Sequence, residues 1–350
     1  MTAKENALRI VRFDHPEYVM TGLPCHGVGY RGVNHEGYEG GGHECAVGTR
    51  WTDVWGTVWE KMQPGVMGFP RFHPIADAAA LRTYRWPDPD DERICGTIYE
   101  GAKKLPADRR GELFLSGSHR ETLWEKTYML VGMENVMTLL IEEPHFVKDL
   151  LHRIMDFDLA IARHYVKAGI EVASLGDDLG TQMGPLLGPR IVEEFLVPEY
   201  RRLFEFYRSC GKVATAADEK KNEGTVPHGG TVPSVLIAFH SCGNIESVLD
   251  TFMDLGVDVL NPVQATANDL DEVRRRTAGR MALQGAVSSG LVMEGPPERI
   301  ALEVRRRMWQ LGRKGGYFCS PDQGMPWPQS HIDALNAAVR EFGRYPLAEL

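Results

Sequence analysis

Val235-Leu236-Ile237-Ala238-Phe239-His240-Ser241-Cys242-Gly243-Asn244 is the stretch from which the rest of the chain can be read. Its unbroken apolar run, with no polar alternation, is the pattern of a strand buried on both faces, as in parallel sheets covered by helices. An imidazole and a thiol follow two residues apart, so one loop leaving the strand can aim both at one point. That is metal-ligand spacing. A third soft ligand is available in Cys319, which follows the short run Gly316-Tyr317-Phe318. One His and two Cys make a zinc-type set, His240, Cys242 and Cys319, with a fourth position open for chemistry. The two loops can meet only if both strands end on the same face, as the strands of a parallel barrel do.

The flanking sequence alternates accordingly. Strands are predicted at 113–117, 172–175, 257–260, 281–285 and 316–318. Helices are predicted at 77–84, 121–130, 133–141, 144–169, 189–209, 245–255, 270–277 and 332–342. One more is opened by Pro296-Pro297 and carries Ile300, Val304, Met308 and Leu311 on one face. This βα alternation predicts an α/β fold of (β/α)8 TIM-barrel type over 76–350, with a doubly wound sheet as the alternative. Asp177, Asp178, Asn261, Gln264, Ser288 and Asp322 stand directly after strand segments, where barrel active sites form. Asp178 is the candidate catalytic carboxylate. Asp177 is the weaker of the pair, because neighbours on a continuing strand face opposite ways. Asp177, Asn261, Gln264 and Tyr30 are candidates for substrate contacts.

Residues 1–75 are rich in Gly and His and read as an irregular segment covering the barrel mouth within a single structural domain. His43-Glu44-Cys45 repeats the His-x-Cys spacing, but its glycine-rich surroundings offer no strand to hold it, so a plain loop is expected. Trp51, Trp55 and Trp59 alternate in strand fashion and read as a hairpin core. Lys212-Val213-Ala214-Thr215 reads as a possible strand, and the polar stretch 216–234 as an insertion, taken here as a dispensable loop on the face away from chemistry.

The net charge of -9 leaves no basic footprint for nucleic acid or an anionic membrane surface. No apolar run approaches the roughly 20 residues of a membrane span, and the first residues lack a signal-peptide pattern, so a cytoplasmic location is expected. Six irregularly spaced cysteines do not suggest a disulfide framework.

Phe239-His240-Ser241-Cys242-Gly243-Asn244, the run from Leu255 to Gln264, and Gly315-Gly316-Tyr317-Phe318-Cys319 together resemble the uroporphyrinogen decarboxylase superfamily. The resemblance extends over most of the chain and weakens before Asp53. Within it, the His-x-Cys and late Cys pattern is similar to the zinc-dependent, cobalamin-using methyltransferases. It implies a (β/α)8 barrel, zinc on His240, Cys242 and Cys319, and a corrinoid carried on a partner protein. It also implies methyl transfer involving a methoxylated compound or a thiol. The decarboxylase branch, a lyase acting on a tetrapyrrole polycarboxylate, carries an N-terminal motif with two arginines around Gln-Ala-Gly. Here only Arg31 stands near that position, and one guanidinium is poor compensation for many carboxylates.

Overall fold

The structure, a computed structural model, describes residues 1–210 and 235–349. The chain opens with helix α1 (Ala3–Arg12), started by a capping box in which Thr2 and Glu5 satisfy each other's backbone amides. Strand β1 (Cys25–Val28) follows, then β2 (Arg50–Thr52), β3 (Val58–Glu60) and β4 (Phe69–Phe72), which form a small antiparallel sheet. Helices α2 (Ala78–Thr83) and α3 (Glu92–Lys103) lead to β5 (Phe114–His119). After it come α4 (Trp124–Val131), α5 (Met133–Glu142), α6 (Pro144–Ala168), β6 (Val172–Gly176) and α7 (Pro189–Ile191). A π turn at Val192–Leu196 carries α7 into α8 (Val197–Cys210). The remainder is β7 (Leu236–His240), α9 (Leu249–Leu255), β8 (Val259–Val263), α10 (Leu270–Thr277) and β9 (Ala282–Val287). Last come α11 (Ser289–Glu294), α12 (Pro297–Arg307), β10 (Tyr317–Pro321) and α13 (Gln329–Phe342).

The main sheet runs β1-β5-β6-β7-β8-β9-β10 with every pairing parallel. It curls far enough for its two edges to approach, since Met20, just before β1, bridges Phe318 of β10. The architecture is TIM-barrel-like, with seven strands in the sheet among the described residues and the Met20 bridge where an eighth would close it.

Strand alternation sorts the side chains into two cores. Phe114, Val172, Leu236, Val259, Ala282 and Phe318 point inward at the starts of their strands and are sealed from below by Ala7, Ile10 and Val11 of α1. Their neighbours Leu115, Ala173, Ile237, Leu260, Leu283 and Cys319 point outward into the larger core beneath the helices. The same parity brings Ser116 and Ser174 together inside the barrel, 2.9 Å apart, and carries His240 to the inner side at its upper rim.

Three differences from the sequence reading have physical causes. Helix α3 was not expected, because its Gly96 and Gly101 blur an otherwise amphipathic repeat. Both α1 and the barrel strand β1 lie inside the stretch read as covering loops. Strand β10 continues to Pro321, so Cys319 sits in the middle of a strand rather than after its end. The tryptophans do pack as a hairpin: Trp51 pairs with Trp59 across β2 and β3, and Trp55 and Trp59 are buried. Residues 212–215 and the 216–234 stretch lie outside the described residues.

Candidate metal and substrate site

Strand β7 delivers His240 at its last position, and Cys242 follows on the loop. From β6 next door, the register Gly176↔His240 brings Asp178 alongside. His240 Nε2 lies 3.3 Å from Cys242 Sγ and 3.4 Å from Asp178 Oδ1, and one ligand atom from each of the three residues falls within 4.8 Å of the others. The other imidazole nitrogen, Nδ1, is 3.0 Å from Asn261 Oδ1 on β8. An acceptor there holds the proton on Nδ1 and leaves Nε2 free to coordinate, the usual orienting partner of a metal-binding histidine.

Charges within the cluster reinforce one another. Burial alone would raise the Asp178 carboxyl, but the hydrogen bond and charge of His240, with the Cys242 amide 2.9 Å from Oδ1, hold it below its ordinary range. Burial alone would lower His240, yet Asp178 and Cys242 push it well above the ordinary imidazole value.

The loop is braced on all sides. Gln264 Oε1 accepts from the Gly243 amide at 2.7 Å and from Gln182 Nε2 at 2.9 Å. Asn268 donates to the Gly243 carbonyl and accepts from Ile245 N. Gly180 and Gly243 are where the two ligand-bearing loops touch: a Cβ on Gly243, which has φ +82°, would stand 2.3 Å from the Gly180 carbonyl carbon. Only glycine fits either position. On the third side Asp322 is buried, accepting from the Ser289 amide and hydroxyl at 2.9 and 2.7 Å. Its anchorage places Gln323 over the cluster, with Nε2 2.8 Å from Cys242 Sγ.

The sequence candidates therefore sort as follows. His240 and Cys242 come together; Cys319 does not join them. It faces the outer core with no exposed surface, and burial pushes its thiol up to about 12. The third donor is Asp178, read from sequence as a catalytic group. Asp177 turns away and is fully buried, accepting from the amides of Leu123 and Glu125 at the start of α4 and from the Tyr200 hydroxyl at 2.5 Å. It anchors the start of α4. Asn261 and Gln264 contact site residues, orienting the imidazole and bracing the loop. Tyr30 is buried just past the end of β1, with its ring edge on Phe157. Arg31 donates to the Arg93 and Gly37 carbonyls. His43 and Cys45 belong to no metal-type cluster among the described residues.

Beside the cluster lies a cavity of about 420 Å³ that sequence reasoning missed. Its walls include Ser118, Arg120, Glu121, Glu125, Ser174, Asp178 and His240. Glu121 and Glu125 precede and open α4 at i, i+4 spacing. That spacing was the available signal, but it also suits an ordinary exposed helix face. Glu125 borders the cavity with its backbone N–H donating to Asp177 Oδ1 at 2.8 Å, and burial together with the charges of Asp177 and Asp178 raises its carboxyl to about 8.

A parallel βα barrel with an imidazole, a thiol and a carboxylate converging at the C-terminal rim of its strands defines the class: a TIM-barrel-like enzyme fold with a potential metal centre at its mouth. The chain belongs to the uroporphyrinogen decarboxylase (URO-D) family, whose model matches residues 61–344. It is 25% identical over 282 residues to the uroporphyrinogen decarboxylase of Edwardsiella ictaluri, covering 78% of this chain and 71% of that one. The enzyme of the same name from Methylococcus capsulatus is 25% identical over 283 residues, with 78% and 72% covered. Among solved structures, a methyltransferase from Methanosarcina mazei superposes with a TM-score of 0.69 at 17% identity, over 98% of this chain and 99% of that one. At that identity the likeness establishes the shared fold. No helix among the described residues is long and apolar enough to cross a membrane.

Proposed function

We propose that this chain is a zinc-dependent methyltransferase that moves a methyl group between a small methylated molecule and a corrinoid carried on a partner protein. The observation that carries this reading is the convergence of His240 Nε2, Cys242 Sγ and Asp178 Oδ1 at the barrel mouth. Three protein donors of N, S and O type with a free side are the composition of a catalytic zinc site. The charges also fit. One thiolate and one carboxylate balance a divalent ion, as two thiolates would, while the imidazole stays neutral. When bound, zinc would hold a thiol as thiolate or polarise the atom bearing the methyl group.

This chain's own residues supply the remainder. Asn261 fixes the imidazole tautomer, Gln264 and Asn268 hold the ligand loop still, and Gln323 caps the thiol from the mouth side. The adjoining cavity is at the small end of ligand pockets, which run from about 300 to 1,000 Å³. It suits the small methylated molecule, leaving the corrinoid on its carrier. Zinc analysis of the purified protein, followed by methyl transfer read through the cobalamin absorption spectrum, tests the proposal. A metal-free protein with no spectral change would remove it.

The names of the curated relatives favour a second reading, a metal-free lyase acting on a porphyrinogen. Against it, Arg120 is the one Lys or Arg among the described residues lining the cavity, and it is already paired with Glu121. A polycarboxylate would meet more carboxyl groups than cations there. Turnover of uroporphyrinogen by a metal-stripped sample would put this reading first.

A further inference from the structure

We propose that Gln323 shields the Cys242 sulfur from alkylation, so that the ligand thiolate is not itself methylated in a site that handles methyl groups. The inference rests on the zinc and methyl-transfer reading above.

The hazard is chemical. Thiolate is the nucleophilic form of cysteine, and a sulfur held on a metal keeps lone pairs that can attack carbon. Such an attack would break the bond between the methyl carbon and its donor atom, which keeps the electron pair. A sulfur lone pair would form an S–CH3 bond on Cys242. The ligand would become a neutral thioether, and the site would lose one of its two anionic donors.

Packing does not remove this hazard. Cys242 is half-buried, unlike Cys319, and belongs to the cluster at the barrel mouth. What stands against its sulfur is an amide, with Gln323 Nε2 2.8 Å from Sγ. Among the described residues the other polar side-chain atom in hydrogen-bond reach of the sulfur is His240 Nε2 at 3.3 Å, and coordination would occupy it. Gln323 is left as the side-chain donor to sulfur. A thiolate only accepts, so the carboxamide presents its nitrogen and not its oxygen. An N–H bonded to an anion draws charge off it and occupies the lone pair toward which it points.

The backbone on either side of this contact is fixed. Asp322 is buried, with its amide donating to Val287 O at 3.0 Å and its carboxylate accepting from the Ser289 amide and hydroxyl. The same hydroxyl lies 3.3 Å from the Gln323 carbonyl oxygen. The Gln323 side chain is itself exposed. An exposed glutamine settles on one partner at a cost in rotamer entropy, which a bond to an anion offsets.

The test uses zinc-loaded full-length protein with iodomethane as the alkylating probe. S-methylation of Cys242 is read by peptide mass spectrometry, with Cys45, outside the cluster, as internal standard. Gln323→Met keeps the length and bulk of the side chain but has no N–H, and the exposed position leaves the fold unaffected. Cys242 should be methylated at least about tenfold faster in this variant than in the wild type, the effect of losing one charge-assisted hydrogen bond. With cobalt in place of zinc, the sulfur-to-metal charge-transfer band should move to lower energy in Gln323→Met. An unchanged methylation rate would make bulk the shield, and an unmoved band would mean that no hydrogen bond reaches the sulfur; either result overturns the proposal. Zinc bound without methyl transfer to cobalamin would sink the parent reading alone, since shielding is read on the protein's own sulfur. Failure to take up zinc or cobalt would sink both.

Discussion

The carboxamide nitrogen of Gln323 lies 2.8 Å from the thiol of Cys242, on the side of the cluster where a second cysteine was expected. Cys319, four residues earlier, points through the opposite face of its strand. A metal at this site would therefore be held by one thiolate, with Asp178 as the third protein donor.

Cys242→Ser and Asp178→Ala should each remove most of the zinc, whereas Cys319→Ala should keep about one per chain, the content expected of a single three-donor site. Asn261→Ala takes away only the orienting partner of His240 and should weaken metal by about 10- to 100-fold. Metal analysis after dialysis against graded chelator reads all four. Loss of zinc from a folded Cys319→Ala protein would restore the two-cysteine set.

Thiol chemistry offers an independent check on the same placement. Burial in the outer core keeps Cys319 protonated and out of reach, so it should resist iodoacetamide in native protein and react only after denaturation. Peptide mass spectrometry before and after unfolding measures this. Rapid native modification of Cys319 would contradict its orientation.

Asp177→Ala should destabilise the fold while leaving the ligands in place. The change strands the amides of Leu123 and Glu125 and the Tyr200 hydroxyl, for a loss of about 3 kcal/mol in urea unfolding. Undiminished stability would mean that α4 does not depend on this cap.

A pH dependence follows from Glu125. Its carboxyl is raised in the folded protein to about 8, chiefly by burial and then by the charges of Asp177 and Asp178, from an ordinary value of 4.5. The folded state therefore holds this proton more tightly than the unfolded state. Its contribution to stability is fully present below pH 4.5 and is lost as pH rises through about 8. Between pH 6 and pH 8.5 the urea midpoint should fall more in the wild type than in Glu125→Gln, which has no proton to lose there. Identical pH profiles would remove Glu125 as the source.

Much of the barrel could be read from the chain because its signals are local. Apolar runs marked β5 to β9, and Gly169 and Gly256 ended α6 and α9 in the left-handed conformation that glycine favours. The site was half legible for the same reason. His240 and Cys242 share one loop, and spacing alone brings them together. Cys319 was misplaced by strand length. Ending the strand at Phe318 freed the thiol to turn inward, whereas three further residues of pairing with β9 fix its parity outward. Asp177 and Asp178 divided their roles as strand alternation demands, although only the register between β6 and β7 shows that Asp178 reaches the imidazole. Gln323 and Glu121 carry no periodic signal. Their positions depend on Asp322 and His35, partners fixed only once the chain has folded.

The meeting of Gly180 and Gly243 bears on what a metal would find at this site. Two loops in backbone contact, braced by Gln264 and Asn268, leave His240, Cys242 and Asp178 little freedom to scatter. In small zinc domains the ion creates the fold, and chelation unravels the chain. Here the three groups are carried by a barrel whose two cores are built from side chains alone, so under the reading proposed above chelation should leave the fold standing. Cobalt or cadmium could then replace zinc on the same scaffold, which would open the centre to spectroscopy that zinc itself does not permit.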